Sequence, residues 1–300
     1  MDGPIGVIYS PWVEEAAHMA EALAGELRGD FDPWVCSVLQ LDEHGQEARG
    51  CSIFVTVGGD GTILRAVRLA APAAIPIVGV NLGRVGYMTE LPAEEAVERI
   101  ASYAHGEGWM EERTMLEAQI RPSGHSGRGL PSYTGLNDAV VSRTKPSRMV
   151  YVAVRVDDTP LAAYAADAVI VSTATGSTGY ALAAGGPILF ADSTSLMVQP
   201  VAPQLADDAA VVLHPGAVVE IDVEPDQEAM LSVDGYLDVD IASGSTIRVQ
   251  ESPHRTRFLR QGSKHRLPAT LSQRLSSVRR QRPSSTEIAA SHLEGDGRAR

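Results

Sequence analysis

The sequence predicts an α/β domain built on a parallel sheet, followed by a β-rich domain of stacked sheets. Three observations carry that prediction. Apolar strand patterns alternate with helix-period patterns over the first hundred residues. From about Thr114 the texture changes to short strands separated by turns. Within the first of those regimes, the glycine-rich run Gly58-Gly59-Asp60-Gly61-Thr62 follows a β-branched segment and leads into a helical pattern. Alternating βα units bury a parallel sheet between helices, whereas closely spaced strands form sandwiches. Residues 1–112 are accordingly assigned to the α/β domain and 113–255 to the β-rich domain, whose last strands are free to return to the first.

Taken in order, GPIGVIY reads as a strand, EEAAHMAEALAGEL as an amphipathic helix and SIFVTV as the second strand. Ile63, Leu64, Val67 and Ala70 mark the next helix, with Thr62 as its expected N-cap. A strand at IPIVGV and a helix from Pro92 to about Tyr103 complete a βαβαβα pattern. Beyond it MLEAQIRP, GLNDAVVSR, MVYVAVRVDD, AVIVSTA, AVVEIDVE, AMLSVDG and TIRVQES all read as strands. A short helix is expected around Tyr180–Ala184, and HSGRGLPS, residues 125–132, reads as a hairpin tip. Residues 265–300 are rich in Ser, Arg and Gln with few large apolar groups, so they are expected to form a disordered tail.

Charge narrows the function. The net charge is −13, but residues 266–300 hold seven Arg against three acids, leaving a tail of +4 and a body of −17. An acidic body offers no basic face for counterion release, which argues against nucleic acid as the main partner. The longest apolar stretch is interrupted by Arg68, Pro72 and Pro76, and MDGPIGVIYS reads as a strand, so neither a membrane span nor a leader is read and a cytoplasmic protein is expected. Cys36 and Cys51 suit buried positions in a reducing compartment.

The chemistry is concentrated in a few segments. Glycines at 58, 59 and 61 let the backbone approach a ligand and aim N–H groups at anionic oxygens, and Thr62 adds a hydroxyl. No Lys-Ser/Thr follows them, so this is not a Walker A loop, and the GxGxxG spacing is absent. An acid beside a phosphate cradle suits phosphoryl transfer, with Asp60 taking the proton of an acceptor hydroxyl. A second strand end follows at IVGVNLGRVGYMTE, residues 77–90. Ser172-Thr173-Ala174-Thr175-Gly176-Ser177-Thr178 places five hydroxyls in seven residues, more than one helix cap needs, and Tyr180 is placed to stack on a base. Asn137-Asp138 is expected mid-strand, with the Asn amide suited to an adenine edge. The histidines, among them His18, His105 and His214, form no triad or metal spacing.

With GGDGT at 58–62, NLGRVGYMTE at 81–90, ND at 137–138 and ADAVIVSTATGSTGYALAAGGPI at 166–188, the chain resembles the NAD kinase family from its first strand to about residue 250. That resemblance implies transfer of a phosphoryl group from ATP or polyphosphate to the adenosine ribose 2′-hydroxyl of NAD. It implies Asp60 as the catalytic residue, with Gly61, Arg65, Tyr87 and Met88 beside it on the dinucleotide. Asn137, Asp138, Arg148, Asp167, Thr175, Thr178, Gly179, Tyr180, Ala181, Leu182, Ala183 and Tyr236 fall on further contact positions. The chain departs from the family pattern at Ala165, at Gly179, at Pro203-Gln204-Leu205 and at Tyr236, where an amide side chain is common. A homodimer or homotetramer is implied as well. Magnesium is expected as the divalent cofactor, held by donor phosphates and water, with no dedicated protein ligands. The competing readings are a lipid kinase of the diacylglycerol or sphingosine type and a non-catalytic dinucleotide sensor.

Overall fold

A computed structural model describes residues 3–83, 86–124, 130–204 and 208–263. Most of the hairpin tip, Leu205 and the expected tail lie outside the described residues. Residues Met1–Gln261 make one compact unit. Its first part contains β1 (Ile5–Tyr9), α1 (Ala16–Leu27), β2 (Pro33–Ser37), α2 (Gly45–Arg49) and β3 (Ile53–Gly58). Next come α3 (Asp60–Ala70), β4 (Pro76–Asn81), β5 (Leu91–Pro92) and α4 (Ala93–Ala104). The chain then becomes β-rich with β6 (Trp109–Arg121), β7 (Ser132–Gly135), β8 (Asp138–Arg143), β9 (Val150–Val156), β10 (Thr159–Ala166) and β11 (Ala168–Ser172). A 3-10 turn at Gly176–Thr178 and α5 (Tyr180–Ala183) follow. The last strands are β12 (Met197–Val201), β13 (Val211–Val212), β14 (Val219–Val223), β15 (Ala229–Val233), β16 (Leu237–Ile241) and β17 (Thr246–Arg260).

Parallel pairing of β2, β1, β3 and β4 gives the first sheet its α/β half. Strand β3 is buried along its whole length, as a parallel strand covered on both faces must be. Ile53, Val55 and Val57 pack with α1 and α4, and Phe54 packs with Ile63 and Val67 of α3 on the opposite face. That is the period-2 alternation of a strand feeding two cores at once. The unpredicted β2 is the edge strand beside β1; its leading Pro33 is tolerated there because no central ladder needs its N–H.

The β-rich half is a sandwich. A 6-stranded sheet ordered β13-β12-β11-β8-β15-β16 faces the antiparallel part of the 11-stranded sheet, β10-β9-β14-β17 with β6. Val152, Val219, Ile221 and Val249 of one sheet pack against Val141, Val169, Val171 and Leu231 of the other. Among the 15 residues of β17, Thr246–Val249 pair antiparallel with β14, while Arg257 and Phe258 pair parallel with β4. One strand therefore carries the large sheet across both halves, after an irregularity against β6 between Glu251 and Arg255.

Two local expectations change. The helix after the glycines begins at Asp60 with extended Gly59 as its N-cap, three residues earlier than a Thr62 cap requires. Thr62 is instead buried, and its side chain occupies the space beside Gly58. Asn137-Asp138 is not mid-strand: β8 starts at Asp138, and Asn137 belongs to the turn after β7. Cys36 and Cys51 are buried, with thiols pushed up to about 12 and about 11, burial being the largest cause of each.

Candidate active site

Asp60 sits where β3 becomes α3, and its acidity there complements the positive end of the helix. Its carboxylate ties two loops together. Oδ2 accepts the Tyr87 N–H at 2.9 Å and Oδ1 the Met88 N–H at 3.1 Å. The approach is so close that a Cβ on Gly86 would stand 2.1 Å from Oδ1. Gly58 has φ +150°, and a Cβ there would meet Thr62 Oγ1 at 2.5 Å. Gly59 and Gly61 face open space, so the chain is accessible on that side of the loop. Ser10, Trp12, Gly59, Gly61, Thr62 and Arg65 line a cavity of about 380 Å³ there.

The second wall comes from the 6-stranded sheet, where Asp138 of β8 pairs with Ser172 of β11. The preceding turn is organised by Asp234, which accepts the N–H groups of Leu136, Asn137 and Asp138 at 2.8, 2.7 and 3.1 Å. Both carboxyls are raised. Burial, then the neighbouring Asp234, pushes Asp138 up to about 7; burial pushes Asp234 up to about 6 against the pull of its three N–H donors. Asn137 lends its carbonyl to the Thr173 N–H at 2.9 Å, while its side-chain Oδ1 is buried with no partner among the described residues. A Cβ on Gly179 would lie 3.9 Å from the Asn137 Nδ2, so the amide looks toward the start of α5.

Most hydroxyls of the STATGST turn are spent on the turn itself. Thr173 Oγ1 donates to the Leu136 carbonyl at 2.6 Å, Ser177 Oγ to that of Ala174 at 2.6 Å and Thr178 Oγ1 to that of Thr175 at 3.0 Å. Five hydroxyls thus exceed one cap because they brace a tight turn, not because all face a ligand. Ala181, expected at the dinucleotide, is instead fully buried in the apolar core behind the turn, whereas Tyr180 is 46 % exposed beside it.

Beneath the two walls lies a charged cluster that the sequence did not reveal. Arg260 donates to the Met88 carbonyl at 2.8 Å, to Glu90 at 3.2 Å and to Glu111 at 2.7 Å. Arg113 donates to Glu111 at 2.9 Å and to Thr175 Oγ1 at 3.4 Å. Burial raises the Glu111 carboxyl, but Arg260 and Arg113 outweigh it and hold the group below its ordinary range. The cluster therefore braces the Asp60 loop through Met88 and the hydroxyl turn through Thr175. Nothing in the local pattern of β17 marks Arg260 as inward-facing, because its partners are remote in sequence, whereas Arg113 and Glu111 stand two residues apart on β6.

Arg148 and Asp167 do not join this centre within one chain. Asp138 pairs with Ser172, whereas Ala168, next to Asp167, pairs with Ser142 at the other end of β8. Four residue steps separate those ends by about 14 Å. Asp167 is held there by Arg143 at 3.0 Å, beside a cavity that Arg148 and Gln204 also line. Tyr236, by contrast, reaches the glycine loop: its ring lies 5.3 Å from the Arg65 guanidinium. No group of three or more His, Cys, Asp or Glu able to hold a metal occurs among the described residues.

An acid on a strand-to-helix loop, with open glycines on one side and a polar turn on the other, defines a phosphotransferase with an alcohol as acceptor. Residues 14–108 match the ATP-NAD kinase N-terminal domain and residues 136–261 the ATP-NAD kinase C-terminal domain. The chain belongs to the NAD kinase family. It is 39% identical over 257 residues to an NAD kinase of Dehalococcoides mccartyi, spanning 85% of this chain and 90% of the relative. An NAD kinase of Chloroflexus aggregans is 41% identical over 257 residues, spanning 85% and 92%. Among solved structures, an Archaeoglobus fulgidus NAD kinase in complex with ATP superposes with a TM-score of 0.71 at 26% identity, covering 90% of this chain and 98% of that one. Yeast NADH kinase complexed with NADH shares the fold, with a TM-score of 0.78 at 19% identity, covering 91% and 87%. These matches displace the lipid-kinase and sensor readings.

Proposed function

We propose that Asp60 is the general base that deprotonates the adenosine ribose 2′-hydroxyl of NAD while ATP supplies the phosphoryl group, giving NADP. The observation that carries this is the locked carboxylate: the Tyr87 and Met88 backbone N–H groups fix its orientation at the strand-to-helix loop. Preorganisation of that kind is what general-base catalysis requires of an otherwise mobile side chain. The unpartnered Asn137 Oδ1 and exposed Tyr180 support an adenosine bound across the turn, with Gly61, Asp138, Thr175, Thr178, Gly179, Leu182 and Ala183 around it. Tyr87 and Met88 contribute backbone from the opposite side.

The ATP bound by the Archaeoglobus relative supports ATP as donor. Polyphosphate is the alternative donor, and the open space beside Gly59 and Gly61 leaves the loop backbone accessible to a phosphate group. Magnesium is proposed to accompany the donor, held by phosphates and water, because the described residues offer oxygens from Asp60 but no carboxylate cage. It would neutralise phosphate charge during transfer. Arg148 and Asp167, remote from Asp60 in one chain, fit a homodimer or homotetramer in which a partner copy completes the dinucleotide site. No helix among the described residues is long and apolar enough to cross a membrane, and the proposed setting is the cytoplasm.

Purified protein incubated with NAD, magnesium and either ATP or polyphosphate, with NADP formation followed, tests the whole reading. ATP-dependent NADP formation that stops in excess EDTA is expected. Failure to form NADP with any donor would overturn it.

A further inference from the structure

We propose that Trp12 and Tyr236 form a two-ring platform that holds Arg65 for phosphate recognition at the mouth of the Gly59–Thr62 loop. The Arg65 guanidinium carbon lies 5.1 Å from the Trp12 ring centroid and 5.3 Å from that of Tyr236. The rings reach it from different parts of the fold: Trp12 follows β1 of the large sheet, and Tyr236 lies in the turn between β15 and β16 of the smaller one. Arg65 itself is a turn into α3 and lines the cavity beside Gly59, Gly61 and Thr62.

The two arginines of α3 have different fates. Arg68 donates to both carboxylate oxygens of Asp42 at 2.6 Å. Arg65 has no carboxylate partner among the described residues, although the body of the chain is strongly acidic. Its charge is met by π-faces, which attract a cation without consuming its N–H donors. A planar guanidinium so placed keeps its fork for phosphate oxygens, a geometry that lysine does not reproduce. Trp12 is 63% exposed, an unusual position for an indole unless the site it flanks uses it. The departure at Tyr236 follows from the same arrangement, because a ring there serves the arginine. Trp12 and Tyr236 are positioning residues, and the recognised group is a phosphate oxygen of the donor or of the dinucleotide.

This inference rests on the kinase reading and deepens it. The test is a double-mutant cycle between each ring and Arg65, read as Michaelis constants for ATP, polyphosphate and NAD and as calorimetric affinities for ATP and NAD. Trp12→Ala and Tyr236→Ala should each weaken phosphate-ligand affinity about 2- to 5-fold, the range expected for an exposed cation–π contact. Trp12→Phe should recover most of the loss, and Arg65→Lys should lose more than either truncation. In an Arg65→Ala background the ring truncations should have no further effect. Weakening of ATP and polyphosphate alike assigns the clamp to donor phosphates; weakening of NAD alone assigns it to the dinucleotide. Ring effects that persist without Arg65, or that change melting temperature and leave every affinity unchanged, would overturn the platform. A wild-type protein that forms no NADP overturns the kinase reading instead, while the calorimetric cycle still decides the platform.

Discussion

Asp60 has two duties, and a single substitution separates them. As a base it should contribute about 10²–10⁴-fold in rate, so Asp60→Asn is expected to lower kcat by that much. As a structural acceptor it satisfies the Tyr87 and Met88 N–H groups, and an amide has one acceptor oxygen for those two donors. Leaving one donor unpaired costs about 1–3 kcal/mol, so the variant should fold with a modestly lower melting temperature. Full specific activity in the folded protein would reduce Asp60 to a loop tie. Gly86→Ala tests the same contact from the other side. Its Cβ has no room beside Oδ1, so the carboxylate must leave its two N–H groups, and kcat should fall steeply. Gly83→Ala, two residues after the end of β4 and facing open space, should be kinetically silent in the same assay.

Elements meet at this site through charges that their own sequences do not explain. The last strand, β17, brings Arg260 to Glu90, Glu111 and the Met88 carbonyl. Arg260→Met strands buried carboxylates and should cost about 3–5 kcal/mol in urea denaturation. Adding Glu90→Gln removes one stranded charge and should recover part of that loss; no recovery would mean that packing, rather than charge, dominates. The turn before β8 makes a pH-dependent claim. Asp138 is raised to about 7 by burial and by Asp234, whereas an unfolded Asp titrates near 3.9. Between those values the folded state holds a proton that the unfolded chain releases, so stability falls as pH rises through that window and levels off above it. Asp138→Asn escapes that fall. Its melting temperature relative to the parent should be higher at pH 8 than at pH 5, measured without ligand, and an equal difference at both pH values would contradict the assignment.

At the scale of the molecule, β17 carries the large sheet through both halves of the chain, and the site draws on loops from each half. Ligand binding should therefore stabilise the whole compact unit, and NAD at a hundredfold excess over its dissociation constant should add about 2.7 kcal/mol. Thermal-shift titration checks this, and an unchanged transition with NAD and NADP would count against the dinucleotide site.

The sequence by itself determined the class of each half and the identity of the reactive loop. Period-2 and helix-period patterns are local, so β3, α3 and β4 were legible, and the motifs at 81–90, 137–138 and 166–188 singled out Asp60 where the glycine loop alone reads equally as a capped turn. Weak local patterns were not: β2 opens on Pro33, and the alanine-rich β10 lacks strand propensity, so both form only because a neighbouring strand supplies the ladder. Only the tertiary structure decided that Asp60 is locked by Tyr87 and Met88, and that Asp234 rather than the chain's own turn chemistry shapes Asn137-Asp138. It also paired Arg260 with Glu90 and Glu111 and placed Arg65 between Trp12 and Tyr236. The physical reason is common to all of these. Hydrogen bonds, ion pairs and cation–π contacts act over a few ångströms between groups far apart in sequence, and no local periodicity encodes which distant groups the fold will bring together.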